Sequence, residues 1–190
     1  MTTSDSSADT LHFRLDRLES IEAIRDLSHR YAAAADLRDF AALATLFVVD
    51  VDCGRWGSGR EALLKYYDAG WRTFYRSMHA VTSLTIEFAD SDNASGTVFM
   101  RAEHEVADHW IVVGMALFDN YERKDGRWYF RRRRFEALYS HDQLERPQDV
   151  AFARSFADEP RAPTLPHSQQ SWQMFWEANS HDAIRLSRYP

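Results

Sequence analysis

A chain of 190 residues with 45% hydrophobic and 14% aromatic content is long and apolar enough for one domain with a full core. Its net charge of −6 and pI near 5.7 argue against nucleic acid or an anionic membrane as the main partner, since both need a basic face. Cys53 is the only cysteine, which excludes an intrachain disulfide and leaves no cysteine cluster for a structural zinc. The polar start MTTSDSSADT lacks the apolar centre of a signal peptide, and no run approaches the roughly 18 apolar residues of a membrane span. A soluble, cytoplasmic protein is the expectation.

Residues 1–10, small and polar without periodicity, are expected to be unstructured. From Leu15 the apolar positions Leu15, Leu18, Ile21, Ile24, Leu27 and Tyr31 recur at helical spacing and predict a first helix ending near Asp36. Asp36 follows four alanines and stands roughly 140° round from Tyr31 at about 100° per residue, off that stripe. Asp39 then has the form of an N-cap for a second helix over about Phe40 to Phe47, which puts Asp36 at a helix-helix junction. A surface carboxylate and a placed partner are both open there. VVDVDCGRW, residues 48–56, suits a short strand, and Ser58-Gly59-Arg60-Glu61 reads as a capping box opening a third helix through EALLKYYDAGW.

After Met78 the texture becomes alternating and β-branched. HAVTSLTIEF, GTVFMRAEHEV, HWIVVGMALFDNYER and RWYFRRRRFEALY predict four strands, with DSDN and KDG as turns of the hairpin type. Helices followed by an antiparallel meander make an α+β domain over residues 11–140, with no Gly-rich phosphate loop. All five prolines lie at or beyond Pro147, so 141–190 reads as an arm crossing a surface. Within it SQQSWQMFWEAN predicts a short helix with Trp172, Phe175 and Trp176 on one face: a cover for the domain's own core, a subunit contact or a lid.

His79 opens the first strand of the meander. Its parity groups it with Val81, Ser83 and Thr85, while Leu84, Ile86 and Phe88 hold the more apolar face, so period leaves its side undecided. His104 and His109, five apart, read as facing opposite sides, and no HExxH pair exists, which leaves metal chemistry without ligands. There is no GxSxG elbow, and nothing around Cys53 marks a thiol nucleophile. Acid-base chemistry remains: a histidine held by a carboxylate is a competent base near neutral pH, and Asp36 with His79 could form that pair. A tyrosine such as Tyr31 can donate a proton, and an arginine can steady developing negative charge. Apolar parity runs through the even positions Trp128 and Phe130 but the odd positions Phe135, Ala137 and Tyr139. It therefore changes inside RRRR, residues 131–134, where a β-bulge would explain the switch; a solvated or intersubunit arginine face and one arginine turned inward are both open there.

IEAIRDLSHRYAAAAD, FAALATLF, MHAVTSLTIEF and YERKDGRWYF, in that order over roughly residues 15–140, resemble the SnoaL-like branch of the nuclear transport factor 2-like superfamily. The resemblance implies a curved antiparallel sheet wrapped by helices into a cone with an internal cavity. Within the superfamily the chain is most similar to bile acid 7α-dehydratases and hexachlorocyclohexane dehydrochlorinases, lyases that use no cofactor. In those enzymes an aspartate at the helix junction orients a histidine at a strand start, and Asp36 and His79 match both positions. Tyr31 matches the dehydratase tyrosine, where the dehydrochlorinase has lysine, and Arg133 falls at the dehydrochlorinase's cavity arginine.

Ala137 stands where the dehydratase has its arginine, and Ala102 beside Glu103 where it has an acidic residue. The resemblance further implies Cys53, Trp56, Trp71, Met100, Ala102, His104, Met115 and Phe135 as the substrate-binding lining, with no metal and no cofactor. The implied partners are a small hydrophobic substrate, a steroid or a lignin-derived diarylpropane, and copies of the chain itself as a homo-oligomer, trimer ahead of dimer. Steroid-type isomerases, which would use Glu103 or Glu105 as base, and non-catalytic binding domains share the fold and stay as alternatives.

Overall fold

A computed structural model describes residues 3–144, with side chains from Thr10 onward. The helices are α1 (Thr3–Leu37), α2 (Phe40–Thr45) and α3 (Arg60–Trp71), with a single 3-10 turn at Gly54–Trp56. Four strands follow, β1 (Ser77–Phe88), β2 (Asn93–Val106), β3 (His109–Lys124) and β4 (Arg127–Asp142), forming one antiparallel meander in the order β1-β2-β3-β4. The predicted arm, including Trp172, Phe175 and Trp176, lies outside the described residues.

Where α1 begins differs from expectation. The helix starts at Thr3, well before Leu15, so the segment expected to be unstructured is helical from there. No glycine or proline interrupts residues 3–14, and propagation from an established turn is cheap once nucleation is done. The predicted stripe is buried at Ile24, Leu27 and Tyr31, joined by Ser20, Ser28 and Ala35, but its first part is not: Leu15 and Leu18 point outward, with Leu11. Asp16 and Arg17 meet the sheet instead, Asp16 bonding Arg123 at 2.6 Å and Arg17 lying 3.7 Å over the Phe88 ring.

Asp39 caps α2 as predicted, its carboxylate accepting from the Ala42 N–H at 2.8 Å. The stretch 48–56 is no strand. Phe47 makes one isolated bridge to Phe130 and Asp52 one to Ser58, because Gly54 and Gly57, with φ of 58° and 98°, fold the chain into a turn. Ser58 does not cap α3 either; Gly59 occupies the N-cap without a side-chain bond, and Glu61 reaches forward to Lys65.

The meander carries three register shifts, each adding one residue to a strand: Thr82 on β1, and Leu138 and Arg131 on β4. Bulges bend a strand and increase its twist, which curls this sheet over a concave face. They also repair parity. Beyond Thr82 the inward set of β1 passes from Ser77, His79 and Val81 to Leu84, Ile86 and Phe88, so both groups face the same side. Arg131 is the extra residue inside RRRR, and Arg133 turns inward beyond it. Against the concave face pack Ile24, Leu27 and Tyr31 of α1, Leu43 of α2, and Leu63, Tyr67 and Trp71 of α3. The strand core of Val98, Met100, Leu117 and Phe130 meets them.

Candidate active site

Two segments far apart in the chain meet at Asp36. It sits in the last turn of α1, and Arg38, in the left-handed conformation at φ 56°, reverses the chain directly after it. His79, two residues into β1, is brought against it. Asp36 Oδ1 lies 2.6 Å from His79 Nδ1, and Asp36 Oδ2 accepts the backbone N–H of His79 at 2.8 Å. Ser77 donates its hydroxyl to Oδ1 at 2.8 Å and accepts from Arg38 Nη1 at 3.0 Å. Arg38 Nη2 donates to the Phe74 and Tyr75 carbonyls, both at 3.3 Å, so one guanidinium ties the helix corner to the entry of β1. Burial alone would raise the Asp36 carboxyl, but the bonds from His79 and Ser77 outweigh it and hold it below the usual range. As an ionised acceptor Asp36 fixes the proton of His79 on Nδ1, which leaves Nε2 as the basic nitrogen.

His79 lines a cavity of about 380 Å³ together with Tyr31, Trp56, Trp71, His104, Met115, Arg133 and Phe135 from the predicted set. Cys53 does not line it; the 53–57 turn leaves that thiol in an adjoining pocket. Met100 and Ala102 are buried in the sheet without reaching the cavity wall. Among those missed by the sequence reading are Arg55, Tyr66, Tyr67, Thr73, Phe74 and Leu117. Tyr66 and Tyr67 follow Leu63 at the periodic spacing of a buried helix face, which could have placed one of them inside.

Tyr31 is buried, edge-on to Tyr67 and Phe130 at 5.8 and 6.2 Å between ring centroids. Burial raises its hydroxyl above the ordinary value despite the nearby Arg133, so it holds its proton at neutral pH. Arg133 Cζ stands 4.2 Å from the Tyr31 ring centroid. Its guanidinium is gripped by Asp119 on β3, Nε to Oδ1 at 2.8 Å and Nη2 to Oδ2 at 2.6 Å, with both side chains at most 3% exposed. Burial works against the charged arginine, and the Asp119 charge more than reverses that, so Arg133 is protonated throughout. Tyr121 adds its hydroxyl to Asp119 Oδ2 at 2.9 Å. Asp119 was not anticipated.

His104 and His109 do not oppose one another on one strand. His109 begins β3 at the surface, bonded to Asp142, and His104 is buried on β2. The His104 ring stacks on Phe74 at 4.1 Å and meets His79 edge-on at 5.3 Å. Burial, then the proximity of His79 and Arg38, pushes its pKa down to about 3, with Asp36 opposing. The unfolded chain thus takes up a proton below the ordinary histidine value of 6.5 that the folded chain refuses until about pH 3. Stability is therefore expected to fall as pH drops through that interval, by up to about 1.4 kcal/mol per pH unit. Urea midpoints at pH 7 and 4.5 check this: the wild type should lose about 2–3 kcal/mol more than a His104→Leu variant. Equal losses would place the acid sensitivity elsewhere.

Neither Glu103 nor Glu105 reaches the cavity. Glu103 accepts from Trp110 Nε1 at 2.8 Å and from Arg101, and Glu105 is bonded to Arg76. Among the described residues no cluster of histidine, cysteine or carboxylate groups could hold a metal ion, and no helix is long and apolar enough to cross a membrane.

A meander curled over a cavity, with helices packed against its concave face, is the cone of the nuclear transport factor 2-like folds. The family model described as SnoaL-like domain matches residues 16–134, and the chain belongs to that family. A γ-hexachlorocyclohexane dehydrochlorinase of Sphingobium indicum is 31% identical over 126 residues, covering 63% of this chain and 81% of its own length. The crystal structure of LinA superposes with a TM-score of 0.63 at 29% identity, covering 69% of this chain and 94% of that one. A candidate scytalone dehydratase from Novosphingobium aromaticivorans does so at 0.60 and 25% identity, covering 70% and 93%.

Proposed function

We propose that this protein is a cofactor-independent lyase that eliminates water, or a small oxygenated fragment, from a bulky alicyclic or aryl alcohol such as a steroid or diarylpropane. The observation that carries the reading is His79, held by Asp36, on the wall of a largely aromatic cavity that also holds Tyr31 and Arg133. His79 Nε2 takes a proton from a carbon activated by a neighbouring carbonyl or ring, and Asp36 stabilises the imidazolium that forms. The electron pair of the broken C–H bond becomes the new double bond as the C–O bond breaks. Tyr31 delivers its proton to the departing oxygen, and Arg133, against its ring, stabilises the negative charge left on the phenol. Transfer of the proton from His79 back to Tyr31 through solvent resets the site.

Dehydrochlorinase relatives support elimination as the reaction class, and the tyrosine supports an oxygen leaving group. Glu103 and Glu105, turned away from the cavity, leave a carboxylate-base isomerase without its base. A homo-oligomer, trimer ahead of dimer, belongs to the same reading, supported by the outward row of Leu11, Leu15 and Leu18. The deciding experiment incubates the purified protein with γ-hexachlorocyclohexane, hydroxysteroids and diarylpropane diols and follows product masses. Loss of water or formaldehyde from an alcohol supports the proposal, and loss of hydrogen chloride alone would return it to a dehydrochlorinase. Substrates bound but unchanged would make it a binding domain; double-bond migration without mass change would make it an isomerase.

A further inference from the structure

Among the described residues the charges around the cavity do not balance: no aspartate or glutamate of that set lines it, while two arginines do. Arg133 already has Asp119 as its ion-pair partner, and His79 is held by Asp36. Arg55 is different: among the described residues it has no carboxylate partner, its one ring neighbour being Trp56 at 5.9 Å. Asp52, the nearest acidic residue in sequence, spends Oδ1 on the Gly54 N–H at 2.9 Å instead.

Nor is Arg55 carried on loose chain. Cys53 N donates to the Gly57 carbonyl at 2.9 Å, Trp56 N to the Cys53 carbonyl at 3.2 Å, and Gly57 N to the Gly54 carbonyl at 3.0 Å. This closed turn presents Arg55 and Trp56 side by side at its tip. From Trp56 a wall of rings leads inward through Tyr66 at 6.1 Å and Tyr67 at a further 5.0 Å to Tyr31 at 5.8 Å. Arg55 thus stands at one end of that wall and Tyr31 at the other.

We infer that the substrate is an anion: a ring skeleton bearing a carboxylate, or a group of equivalent charge, remote from the reacting carbon, with Arg55 as the residue that receives it. The inference rests on the cavity being the substrate site of the proposed lyase. A cation at the rim gains from an anion arriving there because the apolar wall beside it excludes part of the water that would screen the pair.

Matched probes test this without the true substrate. Quenching of tryptophan fluorescence by 2-naphthylacetate and by uncharged 2-naphthylacetamide, at low salt, should show the acid binding about fivefold tighter, the upper range for a solvent-touched ion pair. In Arg55→Ala the two affinities should converge with the amide's unchanged, and Arg55→Lys should keep part of the preference. The preference should survive in His79→Ala, so that absence of turnover, which would remove the lyase reading, leaves the charge reading standing. Equal affinities in the wild type, failure of both probes to bind, or a preference that persists in Arg55→Ala would each overturn the inference.

Discussion

Elimination by the His79→Ala variant is expected to be slower by about two to four orders of magnitude, with the fold and the affinity for substrate largely kept. The side chain is only 8% exposed and lines the cavity, so alanine removes the base while opening space that substrate or water fills. Asp36→Asn should come close to the same loss by another route. An amide can present its NH2 to Nδ1, which favours the tautomer with the proton on Nε2, and it can no longer neutralise the imidazolium. The double variant should be no slower than His79→Ala alone, because both changes remove one function. Rates from mass-spectrometric turnover of whichever panel compound reacts, beside thermal unfolding to show that the variants fold, check this. Losses that multiply would mean that Asp36 acts apart from His79. Ser77→Ala should lower kcat by only about three- to tenfold at unchanged KM, since Asp36 keeps both of its bonds from His79.

How legible this site was in the sequence depended on whether local or long-range chemistry fixed each residue. Asp36 was legible as a junction residue because Asp39 is a local cap signal, and the structure bears that cap out. The side taken by His79 was not, because the extra residue Thr82 leaves no mark in a run of β-branched residues, and it alone puts His79 and Leu84 on one face. RRRR did show a parity break, which left room for an inward arginine beside a solvated or intersubunit face, but its partner is one aspartate in a strand where nothing local announces a buried charge. Arg55 was hidden for a related reason: VVDVDCGRW has the composition of a strand, and only the positive φ of Gly54 and Gly57 makes it a turn that faces the cavity. Leu15 and Leu18 fit the helical period and still point outward, because the face a helix buries is chosen by what packs on it.

Asp119→Ala is expected to be the most destabilising single change in the site, by about 3–5 kcal/mol. It would leave the Arg133 guanidinium, 3% exposed, without a counter-charge beneath Tyr31 and Phe130, and would strip Tyr121 of its acceptor. For a domain of this size that corresponds to roughly 10–20 °C in Tm, readable by calorimetry. The pair itself need not stabilise the fold, since two buried charges lose their hydration before they gain each other. Asp119→Leu combined with Arg133→Met should therefore recover most of the stability lost in Asp119→Ala. It should not recover activity, because no cation then remains against the Tyr31 ring to support its loss of a proton. A stable double variant that still eliminates would show that the pair serves packing alone and would remove Arg133 from the mechanism. One that stays as unstable as Asp119→Ala would mean that the ion pair is required by the fold itself, through the β3–β4 register at Asp119 and Arg133 that it spans.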